Sequence, residues 1–224
     1  MTHAEHSSTA PGGSAPGSCR ILRVCPAKLE EAVAEAAQAL AAGGLVAFPT
    51  ETVYGLGAKA ERTGAAKLAS LKGRDRSKPI ALLLSRFDLA GRSVSEVSAT
   101  ARRLADAFCP GPITLVLPAR GGGTVGVRVP DHEVALALVR ACGGALYATS
   151  ANLSGQPPAR SAEEVAAAFP RGLDLIVDGG AVAIGTASTV VRVDGDRWEI
   201  LRTGALSEQD LAAALSTASR RRET

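Results

Sequence analysis

Aromatic residues are scarce in this chain, with one tryptophan, two tyrosines and four phenylalanines making up 3% of 224 residues. Stacking of unpaired bases on aromatic platforms is disfavoured as a binding mode, and the core has to be packed from aliphatic side chains. The four cysteines, Cys19, Cys25, Cys109 and Cys142, include no CxxC pair and have no histidine at ligand spacing. That arrangement argues against a structural zinc site and implies no disulfide framework, so a reducing cytoplasm is the expected compartment. Cys109 and Cys142 read as small buried apolar residues. His3 and His6 fall in residues 1–18, a stretch rich in Ser, Gly, Pro and Ala that lacks the apolar segment of a signal peptide and reads as a disordered tail. No apolar run approaches the ~20 residues of a membrane span. The two commonest phosphate loops are also missing. GxxxxGK[ST] does not occur, and Gly55-Leu56-Gly57 opens like a dinucleotide loop but carries Ala60 where the third glycine belongs. For Gly55 and Gly57 a tight turn needing positive φ explains the glycines as well as a functional role does.

What remains is ample for folding. The apolar fraction is 46%, the net charge is a mild +3, and the length suits one large domain, expected over residues 19–217 with a frayed basic tail over 218–224. Helices are expected over Leu29–Ala42, Thr63–Lys72, Ser98–Phe108 and Glu133–Cys142, after a capping box at Ser161 and Glu164, and after Ser207. Short apolar strands are expected at Leu45–Phe48, Ile80–Leu84, Ile113–Leu117, Val125–Val129, Ala145–Ala148, Leu173–Val177, Thr189–Val193 and Trp198–Leu201. Thr50–Gly57, glycine-rich and polar, reads as a loop leaving a strand end. Alternation of apolar strands with helices, plus hairpins such as that at Asp194-Gly195, predicts an α/β fold. Its twisted mixed β-sheet would carry helices on both faces and a basic central crevice.

Two polar patches interrupt this aliphatic background. Lys72-Gly73-Arg74 with Lys78-Pro79 concentrates positive charge, within a run that also holds Lys59, Arg62, Lys67 and Arg76 against Glu61 and Asp75. A solvated helix face accounts for Lys59, Arg62 and Lys67 equally well. Arg74 supplies a planar fork for phosphate or carboxylate, and Lys72 and Lys78 supply mobile point charges. The second patch, Thr149-Ser150-Ala151-Asn152, offers small hydroxyl and amide groups. Thr114, Thr124, Arg128, Ser150, Asn152, Ser188, Thr189 and Arg202 fall at strand ends or beside them, and in an open α/β sheet such loops converge on one crevice. Arg128, inside Val125–Val129, needs a partner, which a structural salt bridge or an anionic ligand could provide.

At these residues the sequence resembles a known family. Pro49-Thr50-Glu51-Thr52-Val53-Tyr54-Gly55-Leu56-Gly57, Lys72-Gly73-Arg74, Lys78-Pro79, Pro110-Gly111-Pro112-Ile113-Thr114, Val127-Arg128-Val129-Pro130, Ser150-Ala151-Asn152 and Ser188-Thr189 occur in the order found in the YrdC/TsaC family of threonylcarbamoyl-AMP synthases. The resemblance spans roughly Ala27 to Leu215 and is closest to its single-domain branch. It implies an ATP-using nucleotidyltransferase that joins L-threonine and bicarbonate to adenylate, with Mg2+ held mainly by the ATP phosphates. Threonylcarbamoyl-transfer proteins acting on ANN-decoding tRNA are the implied partners, and direct contact with tRNA is left open. Lys72, Arg74, Ser150 and Asn152 correspond to the family's catalytic signature. Arg74, Lys78, Thr124, Ser150 and Arg202 correspond to its ATP contacts, and Thr52, Arg128 and Ser188 to its threonine contacts. Leu83 stands where some relatives place a histidine that also touches threonine. No residue is an obvious general base, Glu51 and Asp75 being near only in sequence, and no metal ligands are assigned. Two other readings stay open: an RNA-binding module without chemistry, and a paralogue acting on another carbamoyl or phosphate substrate.

Overall fold

The computed structural model describes residues 19–73 and 80–216. Arg74, Arg76, Lys78 and both expected tails lie outside the described residues. The chain runs β1 (Arg20–Arg23), α1 (Leu29–Ala41), β2 (Val46–Phe48), β3 (Gly55–Lys59), α2 (Arg62–Leu71), β4 (Ala81–Leu84), a 3-10 turn (Phe87–Arg92), α3 (Ala99–Phe108), β5 (Ile113–Pro118) and β6 (Thr124–Arg128). It continues through α4 (Glu133–Ala141), β7 (Ala145–Ser150), α5 (Ala162–Ala168), β8 (Leu175–Asp178), β9 (Thr189–Asp194), β10 (Arg197–Arg202) and α6 (Glu208–Ser216). Among the described residues the strands form one sheet in the order β1-β8-β2-β3-β7-β4-β6-β5-β9-β10. It is mixed, as expected. The pairs β1/β8, β2/β8, β4/β6 and β5/β9 are parallel, and the remaining neighbours are antiparallel.

Side-chain alternation along the strands assigns the helices to faces. On one face Ala36 and Leu40 of α1 and Val134, Ala135, Leu138 and Val139 of α4 pack on Val46, Phe48, Leu83, Leu146 and Val177. On the other, α2 and α5 cover Ala47, Leu56 and Ile176, while the 3-10 turn, α3 and α6 cover Leu82, Leu84, Leu115, Leu117, Val191 and Val193. Each fully buried Leu, Val or Ile contributes about 1.5–3 kcal/mol relative to exposure, which makes an aliphatic core sufficient. The helices are unevenly divided. Among the described residues, α1 and α4 cover their face from β1 as far as Leu83 of β4, and a crevice lies over β4, β6, β5 and β9.

Several local expectations need correction. Gly55–Lys59 is a strand paired on both sides, so only residues 50–54 of the expected loop are irregular. Neither Gly55 nor Gly57 has a positive φ, which removes the tight-turn explanation. Gly57 is required by close approach instead, since a Cβ there would stand 2.6 Å from Cε1 of the fully buried Phe48 ring. Helix α2 starts at Arg62, one residue before the expected Thr63, with Glu61 as its N-cap residue and no side-chain cap. Ser98 does cap α3, accepting from the Ala101 amide at 3.2 Å. The thiols of Cys109 and Cys142 are partly rather than fully buried, and all four cysteines are free. The β1 strand and the 3-10 turn were not anticipated: the four-residue Arg-Ile-Leu-Arg strand is largely exposed and too short to declare a period.

Candidate active site

Three loops build the wall of the crevice. The Tyr54 amide donates to the Ala159 carbonyl at 2.9 Å, and the Tyr54 carbonyl accepts from the Ala151 amide at 2.8 Å. The Ile184 amide donates to the Glu51 carbonyl at 3.0 Å and the Gly185 amide to the Thr52 carbonyl at 2.8 Å. Residues 50–54, 151–160 and 180–188 are thereby joined edge to edge. Fully buried Tyr54 pins the junction, its hydroxyl donating to the Gly180 carbonyl at 2.7 Å. Burial, then the nearby Asp178 carboxylate, pushes this phenol above its ordinary range, so it stays a neutral donor at physiological pH.

Between this wall and the sheet lies a cavity of about 440 Å3. Its floor comes from β4 (Ala81, Leu83), β6 (Thr124, Gly126, Arg128), β5 (Thr114, Val116) and β9 (Val190, Arg192). Thr50, Ser150, Ser188 and Arg202 stand around it. Three polar networks converge here. Buried Lys72, at the C-terminus of α2, donates to Asn152 Oδ1 at 2.8 Å, to the Ser150 carbonyl, and to Ser150 Oγ at 3.4 Å. Ser150 Oγ in turn donates to Asn152 Oδ1 at 2.6 Å. Thr114 Oγ1 and Ser188 Oγ share a hydrogen bond of 2.9 Å, and Arg202 Nη2 reaches the Ser188 carbonyl at 2.8 Å and its hydroxyl at 3.3 Å. In the third network Arg128 Nη2 meets Glu51 Oε1 and Thr52 Oγ1, each at 2.7 Å.

Lys72, Ser150 and Asn152, separated by about eighty positions in sequence, therefore meet, and Ser150 carries their cluster onto the crevice wall. Thr124, Ser150, Arg128, Ser188 and Arg202 all line the same cavity, whereas Arg74 and Lys78 lie outside the described residues. Thr52 is 0% exposed and stands behind Arg128, not on the wall. Thr189 also faces away; its hydroxyl donates to the Leu206 carbonyl and accepts from the Gly204 and Leu206 amides. Leu83 is the register partner of Arg128 and forms apolar floor beside it. Thr50, Tyr54 and Arg192 were not singled out from sequence. Arg192 sits on β9 in an ordinary alternating pattern, and nothing in the sequence separates it from a solvent-facing residue. Among the described residues no group of three carboxylate, histidine or cysteine side chains is arranged to hold a metal ion. None of their helices is long and apolar enough to cross a membrane.

A larger cavity, about 710 Å3, occupies the opposite face between α2 and the 3-10 turn, over Leu82, Leu84 and Tyr147. Alanines and aliphatic side chains dominate it, with Arg62 and Arg92 as the charged groups among its described lining residues. Hydroxyls and guanidinium groups converge in the smaller crevice, so chemistry, not size, selects the site.

His132 sits next to this site, preceding α4, and its Nδ1 is buried without a hydrogen-bond partner among the described residues. Burial holds the imidazole below its ordinary range, outweighing Glu51, Glu133 and Asp131, which pull the other way. The unfolded chain takes up this proton near pH 6.5 while the folded one resists it, so stability falls as pH drops from about 6.5 through the lowered folded value. Thermal melts from about pH 7.5 to 5 should show that loss, with a shallower decline in His132→Asn.

Known proteins share this fold and much of this sequence. The Sua5, YciO and YrdC family, described as telomere recombination, matches residues 38–204. A threonylcarbamoyl-AMP synthase of Bacillus subtilis (strain 168) is 38% identical over 194 residues, covering 82% of this chain and 56% of that protein. A second, from Pyrococcus abyssi (strain GE5 / Orsay), is 41% identical over 181 residues, covering 75% and 53%. The chain thus spans about half the length of these curated relatives. The crystal structure of P. abyssi Sua5 complexed with L-threonine superposes with a TM-score of 0.82 at 36% identity, covering 88% of this chain and 60% of that one.

Proposed function

Because the chain belongs to the Sua5, YciO and YrdC family, we propose that it is a threonylcarbamoyl-AMP synthase. It would combine L-threonine, bicarbonate and ATP into L-threonylcarbamoyladenylate, releasing pyrophosphate. The observation that carries this reading is the crevice itself: one cavity is bordered by the Ser150 end of the lysine-hydroxyl-amide cluster and by Arg128 and Ser188. The relative that binds L-threonine, and the relatives named as synthases, support it.

In this reading Arg128 takes the threonine carboxylate, and the Ser188–Thr114 hydroxyl pair reads the substrate hydroxyl. Thr52 contributes by holding Arg128. Bicarbonate, on taking up a proton, loses water to give CO2; the neutral threonine amine adds to it and gives up a proton to solvent, and an oxygen of the resulting carbamate attacks the α-phosphorus of ATP as the bond to pyrophosphate breaks. The barrier lies in gathering anions and in charge building on the departing pyrophosphate. Lys72, with Arg74 and Lys78 from the segment after α2, would supply preorganised positive charge there. Thr124, Ser150 and Arg202 would hold the nucleotide, whose phosphates bring Mg2+ with them. Fixing two small reactants beside ATP adds an effective-concentration gain. Each oxygen of Glu51 accepts a hydrogen bond from the protein, and no general base is assigned. The adenylate is expected to pass in the cytoplasm to transfer proteins that modify tRNA.

The test is pyrophosphate release by purified protein given ATP, Mg2+, bicarbonate and L-threonine. Release that requires threonine supports the synthase. A salt-sensitive RNA binder without ATP affinity would release none. A paralogue would release it only with some other acceptor.

A further inference from the structure

We infer that Glu51 is a positioning residue that sets amino-acid affinity by holding Arg128 and the Ser188 loop in register. The inference rests on the assignment of Arg128 to the threonine carboxylate. Arg128 faces the cavity, while Glu51 approaches the guanidinium from outside the wall. Both hydrogens of Nη2 are committed, one to Glu51 Oε1 and one to Thr52 Oγ1, each at 2.7 Å. Among the described residues buried Nε has no hydrogen-bond partner, so none of them fixes the planar fork along that edge. The second carboxylate oxygen, Oε2, accepts from the Asp131 amide at 3.2 Å, tying the same side chain to the chain just beyond β6. The Glu51 carbonyl accepts from Ile184, in the loop that ends at Ser188. One residue therefore spans both anchors proposed for the substrate: its side chain holds the carboxylate-binding guanidinium, and its main chain holds the loop delivering the hydroxyl.

An isosteric amide cannot reproduce this pairing. Glutamine has one acceptor oxygen, so its NH2 must face either the Arg128 donor or the Asp131 amide, and one contact is lost. Whichever contact is given up, the ionic hold on the guanidinium goes with the charge, and Arg128 is left to Thr52 and at most a neutral carbonyl, so the substrate carboxylate meets a less firmly fixed fork. Arg202 meets the Ser188 loop, but that loop is tied to the Glu51 main chain, which a side-chain substitution leaves in place.

The experiment compares wild type, Glu51→Gln and Glu51→Asp by calorimetric titration with L-threonine and by steady-state pyrophosphate release. Glu51→Gln should raise the threonine KM and Kd by about tenfold to a hundredfold. ATP KM should stay within about twofold and kcat at saturating threonine within about threefold, the separation expected when substrate binding is lost but not transition-state charge stabilisation. Glu51→Asp keeps the charge but falls one methylene short; it should fold and lie between the two, which keeps the test open if the glutamine variant does not fold. Unchanged threonine affinity in either folded variant overturns the positioning role, as does an equal rise in threonine and ATP KM. Wild-type protein that ignores threonine overturns the parent assignment and this role with it; wild type that binds, with variants that bind equally, overturns this role alone.

Discussion

Arg128→Ala should lose amino-acid binding altogether and cost the fold about 3–5 kcal/mol, because it strands a carboxylate that is almost as deeply buried as its partner. The Arg128 and Glu51 side chains are 9% and 10% exposed. Removing the guanidinium leaves Oε1 of Glu51 and the Thr52 hydroxyl without their donor in a place water barely reaches. The double substitution Arg128→Ala with Glu51→Gln should recover part of the stability, since the buried charge goes with its partner, yet recover no threonine binding. Urea denaturation of the three proteins, read beside threonine titration, separates the two effects. A stable Arg128→Ala protein that still binds threonine would remove both the buried pair and the carboxylate assignment.

Lys72→Ala should lower the rate of pyrophosphate release by about a hundredfold to a thousandfold, the range seen when one preorganised charge-stabilising donor is deleted. The ammonium group is buried and directed at Ser150 and Asn152, so the same change also loosens the β7 end that carries Ser150 to the crevice. Lys72→Arg should not rescue it. A flat fork cannot take the place of a compact ammonium among acceptors on one side. Arg74→Ala, in the segment outside the described residues, should reduce release to a similar degree. Measured turnover near that of wild type in Lys72→Ala would end the phosphate role of this cluster.

Much of this architecture was legible where local chemistry decides it. Ser161 caps α5 as its spacing to Glu164 predicts, its hydroxyl accepting from the Glu164 amide at 3.3 Å. The β9–β10 hairpin follows from Asp194-Gly195 between two apolar runs. The Lys72–Ser150–Asn152 cluster was legible as two polar patches in an aliphatic chain, though not the contact between them. What escaped was set at long range. Gly55 and Gly57 look like loop residues until the Phe48 ring is packed over them. Glu51 looks like a stray acid beside two threonines until Arg128, 77 positions away, is brought to it. Thr52, which the resemblance assigns to threonine, hydrogen-bonds Arg128, a contact that no spacing in the sequence announces. Tyr54 was passed over because a fully buried phenol and an exposed one look alike in sequence; its role depends on where Gly180 lies.

The most direct test is a crystal structure of the protein with L-threonine and a non-hydrolysable ATP analogue. The threonine carboxylate should lie on Arg128, and the α-phosphate should sit within hydrogen-bonding reach of Ser150 in the same crevice. Nucleotide bound instead in the larger cavity over Leu82 and Leu84, on the far side of the sheet from Arg128, would contradict the account.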